Sequence, residues 1–166
     1  AAKILGLPYP GGPHIDRLAK NGDPKALKFA RPNLANYDFS FSGLKTSFLY
    51  TLQTKMKEDD AFIADNLPDI CASYQSALID ALMIKVKKAV KDTGIQNVAI
   101  AGGVSANSEL RNTLKKWGHI NGISIFVPPF EYTTDNAAMI GVAGYFNFLA
   151  GEKTSLSTSA KAKIKF

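Results

Sequence analysis

Val98-Ala99-Ile100-Ala101-Gly102-Gly103-Val104-Ser105-Ala106-Asn107 reads as a short buried strand that breaks at a glycine pair and runs on into a helix. Glycines at such a junction let a ligand approach bare backbone, and the helix that follows offers free N–H groups beside it, so a nucleotide is the natural candidate. The spacing is not the dinucleotide fingerprint, and no Lys-Ser/Thr pair follows the glycines, so neither a Rossmann nor a Walker site fits. Taken alone, the pattern leaves two readings open: a ligand-binding junction and a plain tight strand-to-helix turn.

The flanking sequence supplies a frame for it. Asn97 to Ala101 is the strand. A helix with Leu110, Leu114 and Trp117 inward follows, ending at Gly118, and Ile123 to Val127 is a second, almost wholly apolar strand of the kind found inside parallel sheets. Strand, helix, strand calls for a right-handed parallel crossover, which places Gly102-Gly103 and Pro128-Pro129 at one edge of the sheet. Ligands of open α/β sheets bind outside that carboxyl edge. Glu131 to Asn136 then leads into a final helix, Ala137 to Ala150, stopped by Gly151. Asp135 at its start has two readings, a capping or first-turn carboxylate and, beside the ligand edge, a metal ligand.

Toward the N-terminus, Leu7-Pro8-Tyr9-Pro10-Gly11-Gly12-Pro13-His14-Ile15-Asp16 is too rich in proline and glycine for regular structure until Pro13 opens a short helix. Its glycines and Asp16 read either as a rigid ligand-facing loop or as a linker turn with a helix-stabilising acid. Ala1 to Gly6 resembles the last turn of a helix with no start signal ahead of it, which suggests a chain cut from something longer. Residues 25–41 look irregular, with Arg31-Pro32-Asn33 as a turn, and Tyr37, Phe39 and Phe41 as either a short strand or a loop pinned to the body. Ser42 reads as the N-cap of a helix over Gly43 to Asp59, with Leu44, Phe48, Leu49 and Leu52 on one side. A further helical stretch from Asp59-Asp60 is interrupted at Leu67-Pro68 and resumes to Thr93, with Gly94 as its stop. Ile70, Tyr74, Ala77, Leu78, Ala81, Leu82, Val86, Ala89 and Val90 form its core stripe. Lys85, Lys87, Lys88 and Lys91 complement the negative end of its dipole. The chain thus divides into a loop and helix (1–24), a helical region (25–94), a strand-helix-strand-helix unit (95–152) and a basic tail (153–166).

A length of 166 residues with 46% hydrophobic and 20% charged residues is that of one ordinary globular domain. The net charge of +6 permits nucleic-acid contact without requiring it. Lys45, Lys55 and Lys57 on the second helix and Lys161, Lys163 and Lys165 in the tail are the candidates for phosphate contact, against the plainer reading of a solvated face. A single cysteine, Cys71, excludes an internal disulfide and favours a reducing compartment; its apolar helical setting makes it a core residue. No apolar run approaches the roughly 18 residues of a membrane span, so the cytoplasm is the default.

Four separated motifs then agree. Leu7 to Pro13, Phe39-Ser40-Phe41-Ser42-Gly43-Leu44-Lys45-Thr46, Ala101 to Asn107 and Thr134-Asp135-Asn136-Ala137-Ala138-Met139-Ile140 occur in an order and spacing that closely resemble the tRNA threonylcarbamoyladenosine transferase family, formerly described as O-sialoglycoprotein endopeptidases. The likeness is to its bacterial branch and covers essentially the whole chain. It implies a helix-rich α/β fold, part of an actin-like, sugar-kinase-like ATPase with a small parallel sheet. It also implies transfer of a threonylcarbamoyl group from threonylcarbamoyl-AMP to N6 of adenosine 37 in tRNAs that read codons starting with A. By the resemblance, Gly12 and Asp16 lie on the nucleotide part of the substrate, with Asp16 at the ribose hydroxyls. Asn107, with Gly102 and Gly103, contacts the same ligand, and Asp135 is one ligand of an iron or zinc ion. tRNA, ATP or an adenylate, an actin-like paralogue and a small ATPase are the implied partners.

Departures from the family pattern matter equally. Its paired histidine metal ligands and its two phosphate loops have no counterpart, since His14 and His119 match neither histidine. The natural reading is a C-terminal half, inactive alone, whose sheet has an unprotected edge at which dimerisation or poor order is expected. The competing class is a non-catalytic actin-like module that binds a nucleotide or a partner. A peptidase has no support, because neither a nucleophile-base pair nor a His-Glu-x-x-His pattern is recognisable.

Overall fold

Residues 70 to 77 carry Ile70, Cys71, Tyr74 and Ala77 at helical spacing, so their side chains share one face of a helix. In the computed structural model, which describes residues 1–30 and 34–159, that face lies at the centre of the molecule. The elements in order are α1 (Gly11–Ala19), α2 (Phe41–Glu58), α3 (Phe62–Asp65), α4 (Leu67–Thr93), β1 (Asn97–Ala99), α5 (Ser108–Asn121), β2 (Ser124–Phe126) and α6 (Ala137–Leu149), with 3-10 turns at Gly103–Ala106 and Phe130–Tyr132. The result is helix-rich with a two-stranded parallel sheet, in which Val98 pairs with Ile125. The proposed turn at Arg31-Pro32-Asn33 and the lysines 161, 163 and 165 lie outside the described residues. Residues 153–159 form neither helix nor strand.

The long helix α4 serves two cores. Its first half meets Leu44, Phe48 and Leu52 of α2, together with Leu5 and Phe29. The Phe48 and Tyr74 rings lie 4.3 Å apart between centroids, and Phe29 meets Tyr74 edge-on at 5.7 Å. The second half presents Ile79 and Met83 to Leu110 and Leu114 of α5, flanked by Ile100, Trp117 and Ile125. Cys71 is fully buried, and desolvation pushes its thiol up to about 11, which fits a packing role.

Several expectations shift for identifiable reasons. Helix α1 starts at Gly11 rather than Pro13, because a glycine there can pass Ala2: a Cβ on Gly11 would sit 2.2 Å from the Ala2 Cβ. Helix α2 starts at Phe41 with Ser40 at the N-cap, so Ser42 lies inside the first turn. Gly118 does not end α5. The helix continues to Asn121 and closes on Gly122 in the left-handed region (φ 68°), while Gly118 is where α5 crosses the sheet. A Cβ at Gly118 would lie 2.3 Å from the Ile125 side chain and 2.7 Å from the Ile123 carbonyl oxygen.

The strands are not buried as read. Val98 and Ile125 are half-covered and their neighbours exposed, because only two strands are present among the described residues. Lys85 is buried instead of serving the helix end, and its ammonium donates to the carbonyls of Leu34 (2.6 Å) and Asn36 (3.1 Å). The segment around Tyr37 is accordingly a pinned loop rather than a strand. Tyr37 donates to Asp92 at 2.9 Å, and Lys88 pairs with the same carboxylate. Those two donors, Lys88 first, hold Asp92 below the usual carboxylate range.

Helix α6 is apolar except for Asn147, yet buries no residue. Ile140, Val142, Phe146, Phe148 and Leu149 are all exposed. A contiguous apolar surface of that kind marks a contact face. No helix among the described residues is long and apolar enough to cross a membrane.

Candidate functional site

Helix α1 is two-faced. Ile15, Leu18 and Ala19 pack toward the first core, which turns Pro13, Asp16, Arg17 and Lys20, spaced at three, four and seven, to the opposite side. These line a cleft of about 750 Å³ whose other wall is Gly103, Val104, Ala106, Asn107 and Phe130. Gly12 also faces it, and a Cβ on either Gly12 or Gly103 would meet nothing within 4 Å, so both open onto space. The structure therefore brings Gly12, Asp16, Gly103 and Asn107 together at the carboxyl edge of the sheet. Gly102 sits one residue behind, at φ 80° and ψ 174°, a conformation essentially restricted to glycine, and this lets the chain turn from β1 into the 3-10 turn.

Asp16 and Asn107 are locked together. The Asn107 Nδ2 donates to Asp16 Oδ1 (3.1 Å) and to Gln75 Oε1 (2.7 Å), while its Oδ1 accepts from Leu110 N (2.8 Å) and caps α5. Ser108 adds its backbone N–H to Asp16 Oδ2 (3.2 Å) and its hydroxyl to Oδ1 (2.9 Å). Three of the N–H groups at this helix start are thus already occupied. Ser108 is taken by Asp16, Leu110 by the Asn107 side chain, and Arg111 by the Asn107 carbonyl. A carboxylate has about four lone-pair positions, so three acceptances leave Asp16 one to offer a hydroxyl.

On the far side, Arg111 holds the turn. Its Nε donates to the Ser105 carbonyl and its guanidinium lies 3.9 Å from the Phe130 ring centroid. Asp135 is exposed, is not part of the cleft wall, and does not cap α6. Asn136 does, accepting from Met139 N at 3.1 Å. Among the described residues no group of three or more His, Cys, Asp and Glu side chains is placed to hold a metal ion, so Asp135 alone does not make a metal site. Motif reading passed over Gln75, Arg17, Lys20 and Phe130. A glutamine in a helical stretch otherwise made of apolar and small residues, Ile70 to Ala77, was the available signal for the first.

These features define a helix-rich α/β domain with a glycine-lined, carboxylate-bearing cleft at the carboxyl edge of a parallel sheet. The family model for tRNA N6-adenosine threonylcarbamoyltransferase matches residues 1–142, and the chain belongs to that family. It is 56% identical over 170 residues to the enzyme of that name from Christiangramia forsetii, covering 100% of this chain and 49% of that protein. Identity to the Porphyromonas gingivalis enzyme is 53% over 151 residues (91% and 44%), and to the Cytophaga hutchinsonii enzyme 51% over 164 residues (99% and 48%). The chain spans about half the length of the curated relatives it matches.

Proposed function

We propose that this chain forms the nucleotide-side half of a transferase that moves a threonylcarbamoyl group from threonylcarbamoyl-AMP to N6 of adenosine 37 in tRNA. The observation that carries the reading is the convergence of Gly12, Asp16, Gly103 and Asn107 on one cleft. In it the open acceptor position of Asp16 takes a ribose hydroxyl, the glycines admit the ligand to bare backbone, and Asn107 holds Asp16 and the start of α5 in register. Arg17 and Lys20 supply positive charge at the same wall for the adenylate phosphate.

Chemically, the N6 amine attacks the carbamoyl carbon, a C–N bond forms, the C–O bond to the phosphate breaks, and AMP leaves with the electron pair while the amine loses a proton. Placement and charge stabilisation account for most of what such a step needs. A bound iron or zinc ion would supply Lewis-acid polarisation, with Asp135 as one of its ligands and the others from outside this chain. The remaining half of the protein would complete an actin-like fold in the cytoplasm and cover the apolar face of α6, with an actin-like paralogue and a small ATPase as partners.

The test is tRNA modification by the full-length transferase containing this chain, supplied with threonylcarbamoyl-AMP and read by mass spectrometry of nucleosides. Modified adenosine is expected, reduced at least tenfold by Asp16→Ala. Bound adenylate with unmodified tRNA would instead favour a non-catalytic nucleotide-binding module.

A further inference from the structure

We infer that Gln75 is a positioning residue for the cleft, setting Asn107 so that Asp16 keeps its open acceptor position toward the ligand. The inference rests on the nucleotide reading of the cleft. Gln75 lies in α4, is only 7% exposed, and is not part of the cleft wall, so it acts through another residue. The Asn107 carboxamide has two donor hydrogens and one oxygen. Both hydrogens are committed, to Gln75 and Asp16, and the oxygen caps α5. Rotation of that amide about its bond would set its oxygen against two acceptors and its NH₂ against the Leu110 N–H, forfeiting every contact. Gln75 thereby couples the central helix to the junction, and Asn107 relays that position to Asp16 on α1.

The surroundings make the coupling sensitive to charge. Gln75 also lines a separate cavity of about 270 Å³ with Lys20, Asp80, Ser108 and Glu109. Its Oε1 and Asp16 Oδ1 bond the same nitrogen and so are no more than about 6 Å apart. The ionisable groups around the position are Asp16 from α1, Lys20 just after it, Asp80 from α4 and Glu109 from α5. A neutral acceptor is therefore what the site tolerates. A carboxylate there would accept the same bond while adding negative charge beside Asp16, and neighbouring carboxylates of this kind raise one another's pKa.

Adenosine, which carries the ribose without an ionisable phosphate, is the probe, titrated calorimetrically into the full-length transferase containing this chain. Gln75→Leu is expected to weaken binding about tenfold or more. Gln75→Glu should bind weakly at about pH 8 and recover toward the parent as the pH falls to about 5 and the new carboxyl becomes neutral, a recovery that the parent and Gln75→Leu do not show. A merely structural glutamine would lower the unfolding temperature in both variants without that pH-dependent rescue, and this result overturns the inference. Parent-like adenosine binding by both variants also overturns it and leaves the nucleotide reading intact. No adenosine binding by the parent overturns the nucleotide reading and the inference with it.

Discussion

Replacing Asn107 by alanine removes three hydrogen bonds at one stroke. The Leu110 N–H loses its cap, Asp16 loses one of three donors, and the Gln75 oxygen is left buried without a partner. Loss of an N-cap costs about 1 kcal/mol. Stranding a buried acceptor costs about 1–3 kcal/mol. Asp16 is half-buried and keeps both Ser108 donors, so its share is the smallest. The expected total is about 2–4 kcal/mol. Asn107→Ser keeps a capping oxygen but no amide donors, and should recover about 1 kcal/mol of that. Urea unfolding of the chain followed by circular dichroism measures both, as shifts in midpoint at constant slope. A loss below about 1 kcal/mol for alanine, with serine indistinguishable from it, would show that the Asp16–Asn107–Gln75 network does not hold the junction.

Two further outcomes follow from particular contacts. Gly118→Ala adds a methyl 2.7 Å from a backbone oxygen of Ile123, and overpacking at about 1–3 kcal/mol outweighs the roughly 1 kcal/mol that alanine gains over glycine in a helix. A fall of a few degrees in unfolding temperature is expected, and a rise would mean that α5 and β2 do not approach so closely. Asp92, depressed by Lys88 and Tyr37, contributes stability that is present above its unfolded value near 4 and is lost as the pH falls through its lower folded value. The Tyr37 ring resonances should therefore shift toward a free-loop position only in strong acid. In Asp92→Asn they should show no such transition, and identical acid profiles would contradict the pairing.

Much of the frame is legible in the sequence. The apolar runs around Val98 and Ile125, the parallel pairing that follows from the helix between them and the first half of the α4 stripe are legible. In the second half of that stripe the buried apolar residues are Ile79 and Met83 rather than the expected Leu82 and Val86, which are only partly covered. Two of the misplaced boundaries share one cause, close approach between neighbouring segments. Gly11 against Ala2 and Gly118 against Ile125 are tertiary contacts, so local rules read one glycine as a loop signal and the other as a stop. Lys85 and Gln75 were missed similarly, since a buried polar residue is explained by partners 51, 49 and 32 positions away. At the site, the motifs identified Gly12, Asp16, Gly103 and Asn107 as residues to inspect. That Asp16 and Asn107 bond each other across 91 positions is information that only the folded chain carries.

On the proposed reading, Asp16 offers its remaining acceptor position to a ribose hydroxyl. A double cycle measures it directly: adenosine and 2′,3′-dideoxyadenosine titrated into the full-length transferase and its Asp16→Ala variant. A hydroxyl donating to a carboxylate is worth about 1.5–3 kcal/mol. The parent should therefore prefer adenosine by at least about tenfold, and the variant should bind both ligands alike. Undiminished preference in Asp16→Ala would show that Asp16 does not hold the ribose.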